Sequence, residues 1–131
     1  MKRSLNEDGI VKLSIVVATY NKRDDLEACL RSVHNGLDGV ESEIIVSDNN
    51  SVDGTVEMLE SRFPEVRLLK NKTNLGLSKA NNAAFQECRG DYVLLLDSDT
   101  VVCQDSMVTL LTFMTENPDV GIASGRLLNP D

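Results

Sequence analysis

At 131 residues the chain is long enough for one compact domain with a real core and too short for two of ordinary size. Its 41% hydrophobic and 26% charged residues argue against a disordered or fibrous protein. A net charge of -8 with scattered Lys and Arg disfavours a general nucleic-acid binder, although a metal, a helix N-terminus or one well-placed base would still let it hold a nucleotide.

The amino end, Met1 to Gly9, is polar and lacks the apolar core of a signal peptide, and no later apolar run is long enough to span a bilayer. Cys29, Cys88 and Cys103 are an odd number without a close pair, which fits neither a disulfide framework nor a zinc site. The expectation is a reducing compartment, the cytoplasm or the inner face of a membrane. The cysteines then read as small packing residues. We expect a polar tail over 1–11 and one structural unit over 12–131.

In chain order, the run Leu13 to Ala18 predicts a buried strand ending at Thr19-Tyr20-Asn21. From about Asp24, Leu26, Leu30, Val33 and Leu37 recur at helical spacing, and Asn35-Gly36 supplies a stop. Glu43 to Asp48 is a second strand; Val56, Leu59 and Phe63 mark a helix closing before Pro64; Val66 to Lys70 is a third strand. Leu77, Ala80, Ala84 and Cys88 place a third helix ending near Arg89-Gly90, and Asp91 to Asp97 follows as a strand buried on both faces. A fourth helix is expected from about Asp105 to Glu116, with Met107, Leu110, Leu111 and Met114 inward, and Val120 to Ser124 as a further strand. This alternation predicts a three-layer α/β fold around a doubly wound, mostly parallel sheet, with ligands outside the strands' carboxyl ends.

Those ends carry the chemistry. Asp97 and Asp99, two apart at the close of an apolar strand, fall on one side of an extended chain and can reach one cation. Paired hard oxygens suit Mg2+ or Mn2+, which fills its other positions with water and phosphate oxygens. The alternative is that one of them only caps the next helix. Asp48 to Thr55 is not a calcium loop, because Val52 and Leu59 stand where ligands are needed. Capping by Ser51 or Asp53 explains most of that loop and leaves Asp48 as a ligand candidate. Tyr20 can stack on a base or be an ordinary half-buried aromatic, and Asn21 can help shape a pocket floor. Lys79, after Asn74-Leu75-Gly76, can neutralise phosphate or simply be solvated. His34 reads as a surface residue.

With these residues in place the chain resembles, over about Lys12 to Asp131, the amino-terminal part of the family-2 glycosyltransferases and their type A nucleotide-sugar-binding fold. Four elements in order carry the resemblance: Ala18-Thr19-Tyr20-Asn21, Asp48 to Thr55, Asn74-Leu75-Gly76 with Asn82, and Leu96-Asp97-Ser98-Asp99. It implies that Thr19 and Tyr20 line the base pocket, that Asp48 hydrogen-bonds the base, that Asp97 approaches ribose or metal, and that Asp99 ligates the metal. The candidate donor-binding set is Thr19, Tyr20, Asn21, Asp48, Lys79, Asp97 and Ser98, with Asp97 and Asp99 as metal ligands.

The implied reaction is inverting, metal-dependent transfer of a sugar from a UDP, GDP or dTDP donor to a saccharide or lipid-linked acceptor. The family's acceptor half and catalytic base would lie past Asp131. The expectation is therefore a truncated, donor-binding fragment with little activity alone and no assignable base. A sugar nucleotidyltransferase is an alternative, but it wants a glycine-rich basic loop where Thr19-Tyr20-Asn21-Lys22 stands. A non-catalytic module of the same fold is another, and intact Asp97 and Asp99 weigh against it.

Overall fold

A computed structural model describes residues 12–129; the expected polar tail lies outside the described residues. The elements run β1 (Leu13–Thr19), α1 (Arg23–Gly36), β2 (Ser42–Asp48), α2 (Thr55–Arg62), β3 (Arg67–Lys70), α3 (Leu77–Phe85), β4 (Tyr92–Asp97) and α4 (Ser106–Glu116). The four strands pair in parallel in the order β3-β2-β1-β4. β1 is buried along its whole length, as its branched apolar run requires.

On one face, Ile15, Val17, Ile44 and Val46 meet Leu26, Cys29, Leu30 and Val33 of α1, Met58 and Leu59 of α2, and Met107 of α4. The helical residues recur three or four apart, which aligns them in one stripe. Burying each large side chain here contributes about 1.5–3 kcal/mol. On the other face α3 lies over β1 and β2, where Ala84 packs against Val16 and Ile45. The chain builds outward from β1 through β2 to β3 and then returns to the far side of β1. A right-handed crossover made in the reverse direction must run over the opposite face. The strand order therefore reverses between β1 and β4, and their carboxyl ends flank the crevice.

Gly90 makes that return possible. A Cβ there would lie 2.6 Å from the Ser14 amide nitrogen, and the Gly90 N–H donates to Ser14 Oγ at 2.9 Å.

Several expectations are corrected. β4 is an edge strand among the described residues, and only one of its faces is covered: Val93 is 47% and Leu95 49% exposed, because α3 covers β1 and β2 instead. α3 ends at Phe85, short of Cys88 and Gly90, so Gln86 to Gly90 serve as the turn back to β1. Residues 121–129 form no strand, and Ile122 is 92% exposed; a strand needs a partner ladder and none adjoins it among the described residues. Cys29 packs in the core as expected, but Cys103 is exposed. His34 is exposed as read, yet its ring meets the Glu65 carboxylate and the Leu30 carbonyl.

Candidate functional site

β1 and β2 end in register, so Thr19 pairs with Asp48, and Ala18 of β1 pairs with Asp97 of β4. Strand alternation turns Thr19 and Asp48 to the α1/α2 side, where they are 3% and 1% exposed. Asp48 Oδ2 accepts from the Ser51 N–H at 3.0 Å. Asp48 Oδ1 and Thr19 Oγ1 are buried with no hydrogen-bond partner among the described residues. Leaving such an atom unsatisfied costs about 1–3 kcal/mol, so two of them at adjoining strand ends make this place the candidate for a bound water or ligand.

Tyr20 follows directly and is 47% exposed. Asn21 has φ 50, in the left-handed region that asparagine tolerates. Its Oδ1 accepts from the Val52 N–H at 2.8 Å, and its own N–H donates to Ser51 Oγ at 2.9 Å. Asn21 is thus engaged with the loop after β2. Ser51 does not cap α2 as expected; Gly54 holds the N-cap position, while Asp53 Oδ1 accepts from the Thr55 N–H at 3.2 Å. Burial alone would raise the Asp53 carboxyl, but the Thr55 hydroxyl and the Arg23 and Thr55 amides outweigh it and hold the group low.

β4 ends at Asp97, and Asp99 stands in the turn beyond, closed by the Thr100 N–H donating to the Asp97 carbonyl at 3.0 Å. The turn rather than strand alternation therefore sets the reach of Asp99, which differs from the sequence expectation. Both side chains are exposed and belong to none of the ion pairs of the described residues. Among the described residues no cluster of three or more His, Cys, Asp or Glu gathers to enclose a metal. Two free carboxylates are a donor set that fits a small hard cation completing its shell with water and phosphate, and not a closed structural site. Behind them, burial first and the charge of Asp99 second push the Cys29 thiol up to about 11, so it stays protonated and faces the Asp97 carbonyl at 3.9 Å.

Lys79 lies exposed in the first turn of α3, beyond Gly76, whose φ of 79 suits only glycine well. Two residues escaped the sequence reading. Asn49, 4% exposed, accepts at Oδ1 from Asn71 Nδ2 at 3.0 Å and the Leu75 N–H at 3.3 Å, and donates to the Gly76 carbonyl at 3.3 Å. It seats the start of α3 on the strand ends. Asn81, 8% exposed, keeps a buried Oδ1 without a partner among the described residues. Its signal was a polar residue in the buried phase of a helix, beside Ala80 and Ala84. The apolar hollow lined by Leu13, Tyr92, Leu94, Met107 and Ile122 lies at the amino ends of the strands, away from these groups.

A parallel, doubly wound sheet with acids and orphaned polar atoms at its switch point defines an α/β protein of the class whose crevice lies outside the strands' carboxyl ends. The particular class follows from comparison. The family described as Glycosyl transferase family 2 matches residues 14–130, and the chain belongs to that family. The dolichol-phosphate mannosyltransferase of Pyrococcus furiosus is 32% identical over 117 residues, 87% of this chain and 33% of that protein. An N-acetylglucosaminyltransferase of Bradyrhizobium elkanii is 31% identical over 135 aligned positions, 98% of this chain and 74% of that protein. The chain thus spans about a third of the first of these relatives. Among solved structures, S. aureus TarS 1-349 in complex with UDP matches with TM-score 0.74 and 28% identity over 82% of this chain and 33% of that one. The mannosyltransferase PcManGT from Pyrobaculum calidifontis matches with TM-score 0.69 and 23% identity over 79% of this chain and 32% of that one, a likeness of fold. The glycosyltransferase-type α/β fold expected from the sequence is borne out.

Proposed function

We propose that this chain is the donor-binding part of an inverting, metal-dependent glycosyltransferase that moves a sugar from a nucleoside-diphosphate donor to a hydroxyl of a saccharide or lipid-linked acceptor. The observation that carries the reading is the pair of buried atoms without a partner among the described residues, Thr19 Oγ1 and Asp48 Oδ1, at adjoining strand ends. A base N–H would satisfy Asp48 Oδ1, and uracil, thymine and guanine each offer one. UDP bound to the related TarS supports a nucleotide ligand. Tyr20 supplies a ring face for stacking.

Asp97 and Asp99 would hold Mn2+ or Mg2+. When bound, that ion supplies positive charge that stabilises the departing diphosphate as a Lewis acid does. The chain's own residues fix the donor: Asp48 and Thr19 orient the base, Ser98 lies between the two acids, and Lys79 adds a positive charge at the first turn of α3. We assign no catalytic base to these residues. Three free cysteines suit a reducing compartment, so the enzyme would act in the cytoplasm or at the inner face of a membrane. Among the described residues no helix is long and apolar enough to cross a membrane.

Thermal-shift titration of the chain and of Asp99→Ala and Asp48→Ala with UDP, GDP and dTDP, with and without Mn2+, tests this. At a ligand concentration near 100 times Kd the expected gain is about 2.7 kcal/mol, roughly several degrees for this size. One nucleotide should stabilise the parent with metal, Asp99→Ala should lose the metal dependence, and Asp48→Ala should lose base preference. A folded chain that no nucleotide stabilises would overturn the reading in favour of a non-catalytic module.

A further inference from the structure

The geometry points to Asn21 as a positioning residue that, with Ser51, clasps the loops after β1 and β2 and so sets the free oxygen of Asp48; this rests on the donor-site reading above. The contacts form a chain. Asn21 donates its N–H to Ser51 Oγ at 2.9 Å and accepts the Val52 N–H on Oδ1 at 2.8 Å. Ser51 in turn donates its N–H to Asp48 Oδ2 at 3.0 Å, which leaves Oδ1 as the oxygen without a partner. The same two loops are tied on either side, by the Asn49 N–H to the Thr19 carbonyl at 2.9 Å and the Arg23 N–H to Asp53 Oδ2 at 3.0 Å.

Two features argue that the clasp is held against a cost. Asn21 and Asn50 both sit at positive φ, 50 and 65, one in each loop. A side-chain-bearing residue there costs about 1–2 kcal/mol, less for asparagine, and persists only where the surroundings fix it. The Asn21 Oδ1 is held by the Val52 N–H, and through that contact Asn21 serves the setting of Asp48 Oδ1 and of the adjoining Tyr20. An acceptor oxygen fixed in advance saves the ordering that binding would otherwise require.

The test combines amide hydrogen exchange at Val52 with affinities for UDP, GDP and dTDP in the presence of Mg2+, on the 131-residue chain. Asn21→Gly keeps the left-handed backbone but removes the acceptor; Asn21→Asp keeps an acceptor; Ser51→Ala breaks the other half of the clasp. We expect Val52 exchange to be slow in the parent and Asn21→Asp and about tenfold or more faster in Asn21→Gly. Nucleotide affinity should fall about tenfold in Asn21→Gly and in Ser51→Ala, fall no further in the double variant, and change within about twofold in Asn21→Asp. Fully additive losses would make Asn21 a direct contact and overturn the proposal, as would fast Val52 exchange in the parent. If the parent binds no nucleotide while Val52 is protected, the donor-site reading fails and the positioning role with it, but the clasp stands.

Discussion

Glu43 is the acid most thoroughly engaged away from the candidate site. Burial alone would raise its carboxyl, but the Ser14 hydroxyl at 2.6 Å, the Arg89 amide at 2.6 Å and the Arg67 guanidinium at 2.8 Å outweigh that and hold it below the ordinary range. Because the folded value is depressed, the stability it contributes is present above the unfolded value of 4.5 and is lost as pH falls through the folded value. Glu43→Gln should therefore cost about 1–3 kcal/mol near neutral pH and much less below the folded value, as read from urea midpoints across acid pH. Equal losses at both ends would mean the carboxylate charge is irrelevant. Glu43 was legible only as a strand residue, since its partners Ser14, Arg67 and Arg89 are remote in sequence. Asp48 was legible as a candidate because strand ends are visible in the sequence, and Thr19 only through the family resemblance; Asn81 was not, because its environment depends on where α3 packs.

At the scale of elements, Asn49 ties the start of the nine-residue α3 to the strand ends through Leu75 and Gly76. A helix this short is marginal by itself, and no side chain caps its first turn. Asn49→Ala removes the acceptor for Leu75 and the donor for Gly76, and should destabilise the chain by about 1–3 kcal/mol, with amides of α3 exchanging first. Asn49→Asp, which keeps the acceptor, should lose less. If α3 amides stay as protected in Asn49→Ala as in the parent, packing of Ala80 and Ala84 alone seats the helix. Helix and strand types were readable from periodicity, and their ends less so: α3 stops before Cys88 because the chain must turn at Gly90 to pass within reach of Ser14. The expected strand after α4 had apolar residues but no ladder to join among the described residues.

For the molecule as a whole, a net charge of -8 opposes an anionic ligand. Added salt shortens the reach of that field to about 10 Å at 0.1 M. Without divalent metal, affinity for a nucleoside diphosphate should therefore rise as NaCl increases, and with metal it should be higher and depend less on salt. Isothermal titration at several salt concentrations reads this; metal-free affinity that falls with salt would show that local cations such as Lys79 dominate. By itself the sequence determined the alternation of strands and helices, the apolar stripes and the acids at strand ends, because each depends on residues close together in the chain. Tertiary structure alone decided that β4 sits at an edge beside β1 among the described residues, and that Asn21 and Asn49 tie separate loops together. Those outcomes depend on which strand pairs with which, and on hydrogen bonds between residues about 20 to 30 positions apart, which no local pattern encodes.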